Sequence, residues 1–123
     1  MTGGVQFTPA DTKPRYEVFH TDCPAREVVD HVTSRWGIWV LISLQVNDLR
    51  FYELRESIRG ISEKMLAQSL RALVQDGLIW RKVEPTTPPQ VTYGLTDFGR
   101  DLGEPLGELF DRITRRLGPR EAE

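Results

Sequence analysis

A mainly α-helical fold carrying one small β-hairpin is what this 123-residue sequence predicts. Apolar residues recur at spacings of three and four through most of the chain from Cys23 onward, the period of helices that bury one side. Two short runs, "LIWRKVEP" and "QVTYGLT", are instead alternating or β-branched, and the "TTPP" between them lacks two amides that a strand ladder would need. One cysteine and two histidines exclude an internal disulfide and a credible structural zinc site, so packing alone must hold the fold. A hydrophobic content of 39% in this length suits one domain with one core.

Residues 1–15, with glycines, prolines and few apolar residues, are expected to form a flexible N-terminal arm, leaving residues 16–123 as a single domain. The arm lacks the basic start and apolar centre of a secretory signal, and no run of eighteen apolar residues could span a bilayer. A cytoplasmic protein without membrane partners is therefore expected.

The first helix should begin at Pro24, whose ring suits the first helical position, and carry Val28, Val29 and Val32 on one side. "RWGIWVLISLQ", Arg35 to Gln45, is apolar nearly all round and should form a central helix broken by Asn47 and Asp48. Phe51, Leu54 and Ile58 mark a short amphipathic helix stopped by Gly60. Ser62 can cap the next helix, with Leu66, Leu70 and Leu73 inward, Val74 at the flank, and Lys64, Gln68, Arg71 and Gln75 outward. Two short helices joined around a glycine, the second presenting donors outward, match a helix-turn-helix unit. With the hairpin behind it, the composite is a winged helix-turn-helix.

The net charge of −2 argues at first against a nucleic-acid partner, but the average hides a division. From Arg50 to Lys82 there are seven basic residues (Arg50, Arg55, Arg59, Lys64, Arg71, Arg81, Lys82) against four acidic ones (Glu53, Glu56, Glu63, Asp76), a local +3 beside −5 for the rest. Lys64, Gln68 and Arg71 are candidates for reading bases in a major groove, where Gln pairs bidentately with adenine and Arg with guanine. Ser62 and the free amides at its helix start suit a phosphate. Arg81 and Lys82 are wing candidates for sugar-phosphate contact, the alternative being two solvated strand residues.

The last segment starts at a candidate cap, Thr96, and lays Leu102, Leu106, Leu109, Phe110, Ile113 and Leu117 along one stripe over about residues 97–117. The small core is already supplied by the Trp36 to Leu44 helix, so a second copy of the chain is expected to cover that stripe and give a homodimer. Pro105 should kink or divide the helix. Gly99, Gly103 and Gly107 are read as loosening the segment around Pro105, rather than as a small-residue groove in a continuous helix.

The succession "CP" at Cys23-Pro24, "RWGIWVLISL", "RFYELRESIRGISEKMLAQSLRALVQDGLIWRKV" and "PPQVTYGLTDFGR" with a final helix resembles the HxlR-type winged-helix transcriptional regulators of bacteria, over about Cys23 to Leu117. The resemblance implies a homodimer on an inverted-repeat operator, its terminal helices forming the dimer interface. Arg35 stands where the family commonly has lysine, and "VNDLR" where it often has Gly-Pro; neither touches the expected reading helix.

Cys23 lies at the expected start of the first helix, where amides and the helix dipole can lower a thiol pKa, with His20 and Arg26 three residues away on either side. In several members of the family this position senses oxidants or electrophiles, which makes Cys23 a candidate redox-sensing residue; the plain alternative is a small buried hydrophobe. Two further alternatives keep the fold: a regulator controlled by a small molecule in a cleft near Trp36, Trp39, Phe98 and Phe110, or a winged-helix protein-interaction module. No motif joins a nucleophile to a base and no glycine-rich phosphate loop follows a strand, so neither an enzyme nor a cofactor is expected.

Overall fold

The computed structural model describes residues 24–118, so the expected arm and Cys23 lie outside the described residues. The elements run α1 (Pro24–Val32), α2 (Gly37–Val46), β1 (Leu49–Arg50), α3 (Phe51–Ser57), α4 (Glu63–Gln75), β2 (Ile79–Glu84), β3 (Gln90–Leu95) and α5 (Asp97–Leu117). This is a mostly helical winged-helix fold with one small antiparallel sheet. No described helix is long and apolar enough to cross a membrane.

Helix α2 is the axis of the core. It buries Val40, Leu41 and Leu44 and packs against all four other helices, as an all-round apolar helix must. It begins at Gly37 rather than at Arg35, and residue 37 must be small, because a Cβ there would collide with the backbone carbonyl of His31 where α1 turns into α2. In α1, Val32 is buried and Val28 packs against the core, but Val29 is exposed; the valine stripe is narrower than its spacing predicts.

Helix α3 opens with the Glu53 carboxylate accepting the Arg50 N–H at 2.8 Å and buries Leu54. It ends at Ser57, and Ile58 is buried just past that end. Gly60 supplies the turn with φ of +88°, a conformation that costs glycine little. The Ser62 hydroxyl then accepts from Met65 N–H at 3.1 Å, capping α4, whose inner face buries Leu66, Leu70 and Leu73. The cap and the face that the sequence predicts are both present.

The hairpin is wider than expected by one strand. Leu49–Arg50, for which the sequence predicts no strand, pairs with β3 to give an antiparallel sheet of order β1-β3-β2. Trp80 lies across the backbone of Gly94, its register partner, so a Cβ there would overlap the indole.

Helix α5 corrects the reading of its glycines. It is continuous from Asp97 to Leu117 with Pro105 inside it, undivided. Thr96 caps it, accepting from Gly99 N–H at 3.0 Å and donating to the Gly77 carbonyl at 2.6 Å. Gly99 faces the Leu78 backbone so closely that a Cβ would overlap its carbonyl, and Gly103 faces the Gln45 side chain. With its amide oriented to satisfy both partners, Gln45 donates to the Gly103 carbonyl at 3.2 Å and accepts from Glu104 N–H at 3.0 Å, clamping the turn beside Pro105. The glycines permit close helix approach within the chain; they do not loosen it.

Candidate nucleic-acid interface

The two helices of the helix-turn-helix are α3 and α4, and an ion pair ties them together: Arg55 at the end of α3 to Glu63 at the start of α4, 2.9 Å. A second tie holds the other end of α4. His31, in the last turn of α1, is hydrogen-bonded to Asp76, the residue that closes α4. Glu53 is occupied as a cap. Glu53, Glu63 and Asp76 thus have partners within the chain, whereas Lys64, Arg71, Arg81 and Lys82 have none among the described residues.

On α4, Lys64, Gln68, Arg71 and Gln75 are all exposed, opposite the buried leucines. Ser62 is also exposed; as a cap it accepts from the helix, which leaves its O–H free to donate outward. The first-turn amides and the helix dipole add to the attraction for an anion there. Around the axis, Arg71 lies toward the wing and borders a concavity of about 670 Å³ with Arg81 of β2. Among the described residues neither guanidinium has a hydrogen-bond or ion-pair partner.

Strand alternation separates the two wing candidates. Arg81 pairs with Tyr93 and faces α4, whereas Lys82 pairs with Thr92 and faces away. Arg50 pairs with Thr92 from the other side, so Arg50 and Lys82 flank one threonine on the outer face of the sheet. Sequence reasoning placed Arg81 and Lys82 together because they are adjacent. Period two already separates them, but the partnership of Arg50 with Lys82 appears only once β1 is known.

The six apolar residues of α5 divide in the same way. Leu102 and Leu106 are half-buried against the core of their own chain. Leu109, Phe110, Ile113 and Leu117 lie beyond it, between 41% and 79% exposed. Trp39 of α2 meets Phe110 edge to face, ring centroids 5.4 Å apart. Trp36 and Trp39 border a hollow of about 360 Å³ together with Ser43, Ser57 and Arg59, not with Phe98 or Phe110.

Comparison with known proteins agrees with this architecture. Residues 31–121 match the HxlR-like helix-turn-helix family. The uncharacterized HTH-type transcriptional regulator YtfH of Escherichia coli (strain K12) is 49% identical over 100 residues, covering 81% of this chain and 79% of that protein. A solved structure of ytfH from Salmonella typhimurium superimposes with a TM-score of 0.75 at 47% identity, covering 80% of this chain and 88% of the other. The redox regulator HypR in its oxidized form gives a TM-score of 0.68 at 31% identity, over 81% of this chain and all of the other (100%).

Proposed function

This chain belongs to the HxlR-like helix-turn-helix family, and on that premise we propose that it is a transcriptional regulator that binds double-stranded DNA as a homodimer at an inverted-repeat operator. The observation that carries this reading is the outward row on α4. Lys64, Gln68 and Arg71 stand exposed on a helix pinned at both ends, with Arg81 of the wing beside them. Gln68 and Arg71 read base edges in the major groove and Lys64 adds a third contact, each good bidentate pair discriminating by roughly 1–3 kcal/mol. Ser62 and the start of α4 hold a phosphate. Arg81 contacts the backbone from the inner face of the wing, and Lys82, beside Arg50, from the outer face.

The dimer follows from α5. Four large apolar side chains project past the core and stay 41% to 79% exposed, even with Trp39 against Phe110, and burying them against a second copy removes apolar surface from water. Leu109, Phe110, Ile113 and Leu117 form the centre of that interface, and Leu102 and Leu106 fix α5 to its own core. Residues 16–123 then act as one unit, with about 97–117 as the dimerisation helix. Two-fold symmetry supplies the second reading helix for the second half-site.

Cys23 is proposed as a redox switch on this regulator. It immediately precedes α1, whose last turn is joined to the end of α4 through His31 and Asp76, and a relative with 31% identity is a redox regulator. Oxidation or adduct formation at the start of α1 thus has a short route to the reading helix. The test is a fluorescence-anisotropy titration against candidate operator duplexes with excess unrelated duplex as competitor, run reduced and oxidised. Specific binding that falls on oxidation in the parent but not in Cys23→Ser supports both parts. Equal oxidant response in Cys23→Ser rejects the switch, and no competitor-resistant binding in either state favours an interaction module.

A further inference from the structure

The concavity between α4 and the wing has a composition that base reading does not require. Its floor is apolar and comes from three elements: Phe51 of α3, Leu70 and Val74 of α4, and Val91 and Tyr93 of β3. Its rim carries the guanidinium groups of Arg71 and Arg81. A volume of about 670 Å³ lies within the range of small-molecule sites. An inorganic anion would satisfy the guanidinium groups and leave the floor wet, and a neutral hydrocarbon would do the reverse. The ligand that satisfies both is a flat apolar body bearing one anionic group: its ring covers the floor and its carboxylate takes paired N–H donors from arginine.

We infer that this concavity is a binding site for a small aromatic carboxylate, and that its occupation excludes DNA. The exclusion rests on the proposed regulator function: Arg71 is a base-reading residue there and a carboxylate-binding residue here. One side chain cannot serve both partners, so ligand and DNA compete. This makes the site an effector pocket built into the reading surface itself.

The test begins without DNA, by isothermal titration of the full chain with 1-naphthoate. The expected result is one site per chain, at least tenfold weaker in Arg81→Gln and lost in Ala67→Leu, which fills the pocket wall from α4. The neutral analogue 1-naphthamide should bind at least tenfold more weakly than the acid. In a second experiment, free 1-naphthoate at ten times its own Kd should raise the apparent Kd for operator DNA about 120-fold, the value for full exclusion when both independent sites of the dimer must be empty. Absence of binding, equal affinity of the parent and Arg81→Gln, or operator affinity unmoved at saturating 1-naphthoate would each overturn the inference. Failure of the regulator function shows separately, as absence of specific DNA binding in a ligand-free sample, and leaves the DNA-free titrations to decide the site.

Discussion

The imidazole of His31 donates to the carboxylate of Asp76, joining the last turn of α1 to the residue that closes α4. A carboxylate accepts only, so Nδ1 carries the proton in this pair. Asp76 is nearly buried, with a side chain 10% exposed, whereas His31 is 35% exposed. Removing the imidazole therefore strands a carboxylate that has little access to water. His31→Ala should cost roughly 1–2 kcal/mol in urea unfolding, and Asp76→Ala in the same background should cost much less than it does alone. Strict additivity of the two changes would mean that the pair contributes nothing.

Glycine substitutions along α5 should separate by position. Gly99→Ala drives a methyl into the Leu78 backbone carbonyl, which cannot rotate away, and should cost about 2 kcal/mol or more. At Gly107 the nearest atom is the tip of the Gln45 side chain, 3.0 Å from where a Cβ would sit, and a shift of a few tenths of an ångström relieves that contact while its hydrogen bonds to α5 stay within reach. Gly107→Ala should be neutral or stabilising by up to roughly 1 kcal/mol, from better helix propensity. Equal costs at both sites would refute the close-approach account of α5.

Charge on the exposed apolar stripe of α5 should dissociate the proposed dimer. Ile113→Glu leaves the core untouched, because residue 113 is half exposed in the single chain. It should give a folded monomer by light scattering at micromolar concentration, with much weakened operator binding. A parent protein that is itself monomeric under those conditions would defeat the interface.

Contacts on the reading helix and on the wing should fail differently. Arg71→Ala should flatten discrimination at one operator base pair, by roughly 1–3 kcal/mol. Arg81→Ala should weaken all sequences alike and lower the salt slope of binding by about one. Unchanged relative affinities across operator variants for Arg71→Ala would remove it from the base-reading set.

Much of this fold is legible in the sequence because its signals are local. Ser62 and the leucines at 66, 70 and 73 lie within one helix, and the prolines of the hairpin tip stand beside the strands they interrupt. What escapes depends on distant partners. A two-residue strand carries no period, so β1 is defined only by its pairing with Tyr93 and Thr92. The glycines of α5 look destabilising until Leu78 and Gln45 are seen against them. The engagement of Glu63 and Asp76 likewise depends on Arg55 and His31, eight and forty-five residues away in the chain.

The most direct measurement is in vitro selection from a random-sequence duplex pool with the purified chain. The expected result is an inverted repeat whose half-site centres lie about one helical turn, 10–10.5 bp, or a multiple of it apart, with enrichment lost when Gln68 and Arg71 are both changed to alanine. A pool that keeps no consensus after repeated rounds, or one enriched equally by that double variant, would contradict sequence reading by α4.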